Sequence, residues 1–122
     1  MGTFRTNCTI ANIADRTRTA DVTDLLVDTG SEHTWAPATV LASIGVQREK
    51  KDLRFVMANG SEVTRSTGFA IIRVGKWFTV DEVVFAEEGD MLPLGARTLE
   101  GKNLRVDAAR KKLVAAGPLP AA

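Results

Sequence analysis

The stretch Leu25-Leu26-Val27-Asp28-Thr29-Gly30-Ser31 leaves this chain few structural choices. Three consecutive aliphatic residues fit a strand buried on both faces. The run ends without a spacer on an acid, and the next residues have turn chemistry. A charged carboxyl at the end of a buried strand needs a reason, because its desolvation is costly. A strand that delivers an acid into a tight glycine turn presents one carboxylate at a fixed place. A turn in which the aspartate merely accepts backbone hydrogen bonds is the plain alternative. The triplet alone decides little, since Asp-Thr-Gly arises by chance in roughly 2% of chains this long.

The flanking pattern predicts strands. Thr9-Ile10-Ala11-Asn12-Ile13 alternates, Asp15-Arg16-Thr17-Arg18 reads as a polar turn, and Val22 to Val27 runs into the acid. Pro37 to Gly45 predicts a short helix, with proline near its start, glycine after its end, and Val40, Leu41 and Ile44 on its apolar side. Arg48-Glu49-Lys50-Lys51-Asp52 predicts a solvated loop. Leu53 to Met57 and Glu62 to Thr64 flank Ala58-Asn59-Gly60-Ser61, and Asn-Gly is the strongest short hairpin signal. Phe69 to Val74 and Phe78 to Phe85 predict a second hairpin across Gly75-Lys76-Trp77. Glu87 to Asp90 reads as an acidic loop, and Ala96 to Glu100 as a helical turn. Leu104 to Asp107 with Lys112 to Val114 makes a last hairpin, and residues 117–122 read as a flexible tail.

Composition narrows the function classes. The 122 residues suit one compact domain, so 1–122 is expected to be a single unit. With 44% hydrophobic and 25% charged residues the chain is ordinary for a soluble domain. A net charge of +1 gives no general electrostatic reason to bind nucleic acid or an anionic membrane. No stretch approaches the ~20 apolar residues of a membrane helix, and Met1 to Asn7 shows no apolar signal core. The expectation is a cytoplasmic protein, and the same features fit a soluble domain excised from a longer precursor. The single cysteine, Cys8, excludes an internal disulfide. A catalytic thiol would need a histidine, and His33 is the only one; nothing around Cys8 supports that pairing, so Cys8 reads as a small apolar strand residue.

From about Thr9 to Val114 the chain resembles the retropepsin-like aspartic proteases, single-domain relatives of pepsin. Four elements in order carry the resemblance: the Leu25–Ser31 stretch; the short helix ending at Ile44-Gly45; the hairpin from Phe55 to Val63, which looks like a flap; and Leu92-Pro93-Leu94-Gly95 followed by Leu99-Glu100 and the hairpin through Leu104 and Leu113. The resemblance implies an all-β fold: a closed barrel forming half of an acid protease, with a short helix after the catalytic loop and a short helical turn near the C-terminus.

It also implies a homodimeric endopeptidase acting on peptide or protein substrates. One carboxylate cannot be both acid and base, so two chains must meet with their Asp28 side chains adjacent. Carboxylates in contact share one proton; the ionised member takes a proton from water, and the protonated member hydrogen-bonds the scissile carbonyl. No metal, cofactor or covalent intermediate is needed. By the same resemblance Asp28, Thr29 and Gly30 are the catalytic triplet, with Thr29 bonding across the dimer and Gly30 letting backbone N–H groups reach the carboxylates. Ser31 would bond the outer oxygen of Asp28, and Glu32 would bind substrate backbone. Asn59 and Gly60 would cap the flap, while Trp35, Met91 and Pro93 would line the substrate pocket. His33 falls near the site with no assigned role, and a loop histidine is expected. The alternative is a proteolytically inactive binding or assembly module on the same fold.

The sequence departs from the viral members in two ways that bear on the dimer. They carry arginine directly after the glycine of the fourth element, where this chain has Ala96 and then Arg97. The tail from Gly117, with two prolines, is a poor match to paired terminal strands. A weak dimer, a differently built one, or one formed only with substrate are all expected outcomes.

Overall fold

A computed structural model describes residues 4–121. The three residues before this span and Ala122, the end of the expected tail, lie outside the described residues. Nine strands and two short helices follow one another: β1 (Arg5–Asn12), β2 (Thr19–Val27), β3 (Thr34–Pro37), α1 (Ala38–Ser43), β4 (Lys50–Val56), β5 (Glu62–Val74), β6 (Trp77–Ala86), β7 (Pro93–Leu94), α2 (Ala96–Gly101), β8 (Leu104–Asp107) and β9 (Lys112–Ala115). The fold is all-β and retropepsin-like, as expected.

The main sheet runs β3-β6-β5-β1-β2-β7, with β4 added on β5. Its two ends meet. Gly95, just past β7, donates its N–H to Thr34 Oγ1 in β3 at 2.9 Å, and this brings the sheet close to a closed barrel. The barrel is filled by inward residues of alternating strands, including Ile10, Leu25, Val27, Ile72, Phe85 and Leu94, with Leu41 of α1 and Leu99 of α2 plugging it. The side chain of Cys8 belongs to this core, and burial pushes its thiol up to about 12, with nearby Lys102 opposing the shift. That fits the structural reading of Cys8.

Three local features differ from or add to the expectations. Thr34–Pro37, for which the sequence predicted no element, is a strand: it pairs in parallel with β6, Thr34 opposite Val83 through Pro37 opposite Ala86. Helix α1 consequently begins after Pro37, which serves as its N-cap. The polar Lys50-Lys51-Asp52 belongs to β4, not to a loop. It is tolerated there because this end of the strand is exposed, with a register irregularity and Asp52 at φ 59°. Finally, Glu62–Val74 is one 13-residue strand that pairs with β4 at its start and with β1 and β6 beyond. Residues after β9 form no regular element up to 121.

Candidate active site

Strand β2 turns Val22, Leu25 and Val27 into the barrel, leaves Leu26 half-buried on its other face rather than buried as the run Leu25-Leu26-Val27 predicts, and stops just before Asp28. The turn that follows is braced from two sides. The Asp28 N–H donates to Leu94 O at 3.1 Å and the Leu26 N–H to Leu92 O at 2.9 Å, so β7 runs beside the end of β2. Beyond the turn, the Ala96 N–H donates to Ser31 O at 2.7 Å and the Arg97 N–H to Glu32 O at 3.2 Å. Gly95 passes so near this backbone that a Cβ there would lie 2.6 Å from the His33 carbonyl carbon and 2.7 Å from Glu32 O. That explains why the apolar Leu92-Pro93-Leu94 element ends on glycine. Behind it runs a buried hydroxyl chain: Thr34 Oγ1 lies 2.7 Å from Thr98 Oγ1, which donates to Asp81 Oδ2 at 2.8 Å.

The carboxyl of Asp28 is half-buried and lines a cleft of about 590 Å³. The Gly30 N–H donates to Asp28 Oδ1 at 2.9 Å, and a Cβ on Gly30 would stand 3.1 Å from that oxygen. The cleft is bordered on the loop side by Gly30, Ser31, Glu32, His33 and Trp35, and on the far side by Arg54–Ala58 of the β4–β5 hairpin. Met91 and Pro93 complete it. Its walls are therefore largely apolar, with Asp28 and Glu32 its only carboxylates among the described residues.

Of the residues singled out from sequence, Asp28, Gly30, Ser31, Glu32, Trp35, Met91 and Pro93 come together here. Thr29 is exposed and lies outside the cleft lining; its hydroxyl makes no hydrogen bond among the described residues. Asn59 and Gly60 stand at the exposed hairpin tip, beyond the lining, where Asn59 Oδ1 accepts from the Ser61 N–H at 2.9 Å. Ser31 Oγ donates to His33 O at 2.9 Å rather than to Asp28. Trp35 serves both packing and the site: it is buried with Val84 and Ala86, and its ring meets Phe55 at 5.4 Å.

Sequence reasoning missed Arg54, Phe55, Val56 and Met57 as lining residues and left His33 without a role. The β4 residues were visible as a hairpin strand, yet only the curl of that hairpin over the loop makes them cleft walls. His33 is mostly covered: its ring stands edge-on to Phe55 at 5.6 Å, and its Nε2 lies 3.3 Å from Arg97 Nη1. No group of side chains suited to holding a metal ion occurs among the described residues, and no helix there is long and apolar enough to cross a membrane.

A barrel with one carboxylate on the floor of a cleft, overhung by a hairpin, has the build of an acid-protease half. A family model described as aspartyl protease matches residues 11–98, well over half of the chain and all of the site. The chain belongs to the aspartyl protease family. No curated protein matches it.

Proposed function

We propose that the chain is an aspartic endopeptidase that works as a homodimer, with one Asp28 from each subunit. The observation that carries this is the placement of Asp28. Its turn is fixed by backbone hydrogen bonds accepted by the carbonyls of Leu94, Ser31 and Glu32, and its carboxyl lines a largely apolar cleft of about 590 Å³. The two carboxyls would share one proton. The ionised one removes a proton from water, whose oxygen attacks the scissile carbonyl carbon. The protonated one hydrogen-bonds the carbonyl oxygen, and the proton taken from water passes to the leaving nitrogen as the C–N bond breaks.

The roles of the neighbours follow. The exposed, unengaged hydroxyl of Thr29 is free to bond its counterpart in the partner. Glu32 is exposed on the cleft wall, in reach of substrate backbone. The tip at Asn59-Gly60 would fold down over bound peptide and exclude water. Residues 1–122 would act as one domain. Among the described residues β8 and β9 pair only with each other, and contacts around the Asp28 loops would carry the dimer.

The test is a peptide-library cleavage assay on wild type beside Asp28→Asn, with a statine-type transition-state analogue as a third arm. The expected result is a loss of at least about 10³-fold in kcat/KM for Asp28→Asn, and inhibition of the wild type by the analogue. Binding of peptides by both proteins with cleavage by neither would favour the inactive binding module.

A further inference from the structure

We propose that Glu82 is a positioning residue: it ties the segment after Asp28 to both strands of the overhanging hairpin and so sets the height of the cleft. The proposal rests on the protease reading for its kinetic consequence, but not for its structural one. Glu82 follows Asp81 in β6, directly before the buried apolar run Val83-Val84-Phe85, and is 4% exposed. A valine there would extend that run, and burying a carboxylate is costly unless it is well partnered. Burial alone would raise its pKa, yet the Thr67 hydroxyl, Lys50 and the His33 charge outweigh that and hold it below the usual range.

The partners come from the two sides of the cleft. Thr67 Oγ1 donates to Glu82 Oε2 at 2.7 Å, and Lys50 Nζ donates to Oε1 at 3.2 Å. Lys50 and Thr67 face each other across the β4–β5 ladder, so one carboxylate holds both strands of the hairpin at its root. From the other side, Arg97 Nη1 and His33 Nε2 approach the same Oε1 at 3.7 and 3.8 Å. His33 is joined to the turn after Asp28 through the Ser31 hydroxyl, and the Arg97 N–H donates to Glu32 O. The His33 ring then meets Phe55 of the hairpin. Lys50, Arg97 and His33 have no other carboxylate within ion-pair distance among the described residues. With the charge of Glu82 gone, Lys50 and Arg97 would repel each other across the gap, and the hairpin root would move away from the loop.

The experiment is Glu82→Gln in the full chain, which keeps the shape and an acceptor for Thr67. It is read by peptide cleavage kinetics and by amide hydrogen exchange. KM is expected to rise about tenfold with kcat within about twofold, the pattern of a lost substrate-positioning wall. Amides of residues 50–67 should exchange faster while those of β1 and β2 stay unchanged. Adding Arg97→Gln should lower KM again by removing the excess charge. Lys50→Gln, at a half-exposed site that will not threaten folding, should speed hairpin exchange to a lesser degree. Exchange rising evenly over all strands, or unchanged in the hairpin of both variants, would overturn the proposal. Asp28→Asn provides the separation: it should abolish cleavage and leave hairpin exchange at the wild-type rate. A wild type that cleaves nothing would sink the protease reading, while the exchange data would still decide on Glu82.

Discussion

The two walls of the cleft are held in different ways. The Asp28 turn is fastened by backbone: N–H groups of Asp28, Ala96 and Arg97 lock it against carbonyls of Leu94, Ser31 and Glu32, with Gly95 wedged beneath. The β4–β5 hairpin is fastened by side-chain charges. Glu82 anchors its root through Lys50 and Thr67, and Arg65 of β5 makes a two-pronged pair with Asp90 at 2.8 Å for each contact. Its tip, Met57–Ser61, is tied among the described residues only by its own turn bonds. Backbone fastening fixes the point from which the Asp28 side chain extends, and the Gly30 N–H then holds its Oδ1, whereas side-chain fastening at the hairpin root leaves the tip without such ties. On the proposed protease reading, that is the division of labour between a floor and a lid.

Substitutions at the two glycines test this contrast most sharply. Gly95→Ala drives a methyl into the His33 backbone, and a loss of about 3 kcal/mol or more in unfolding free energy is expected from denaturant titration. Gly60→Ala meets nothing within 4 Å, and its cost should be only the left-handed conformation at φ 86°, about 1 kcal/mol. Equal losses at the two sites would break the comparison.

Between these in size comes Lys102, at the end of the helix that starts on Gly95. Its Nζ is buried with no hydrogen-bond partner among the described residues, and burial pulls its pKa down from 10.5 to about 8, with Cys8 and Asp81 opposing. The unfolded chain therefore holds that proton at pH values where the folded chain has released it. Wild-type stability should rise with pH from about 8 to 10.5 on this account. Lys102→Met should add about 2 kcal/mol at neutral pH, and the gain should vanish above pH 10.5.

The smallest expected effect is acid loosening of the hairpin. The Arg65 guanidinium holds the Asp90 carboxyl below its usual range, against burial, and Glu82 is also depressed. Each contributes stability that is present above its unfolded pKa and is lost as pH falls through its lower folded value. Hydrogen exchange followed downward from pH 5 should speed first in residues 50–67, before the Asp28 turn. The reverse order would contradict the fastening described here.

How much of this was legible in the sequence follows from the range of each interaction. The Asp28-Thr29-Gly30 turn and the Asn59-Gly60 hairpin are written in adjacent residues, and both stand where expected. Strand β3 was hidden because only four residues pair, in parallel, with a strand some fifty positions later. The middle of β5, Arg65-Ser66-Thr67-Gly68, is too polar to read as a strand, although Ser66, Thr67 and Gly68 are buried. Glu82 lay unnoticed for the same reason. Its partners at 33, 50, 67 and 97 are scattered along the chain, and no local pattern announces that they meet. His33 likewise gains its place only when α2 delivers Arg97 beside it.

The central claim is that two Asp28 carboxyls, from two chains, act together. Mixing wild type with an equal amount of Asp28→Asn at concentrations that exchange subunits measures it directly. If both carboxyls are required, specific activity per wild-type chain falls by about half, and total activity to about one quarter of that of the same total protein as wild type, since only pairs of intact chains work. Activity that stays at about one half, in simple proportion to the wild-type share, would show that each chain acts alone and would contradict the account.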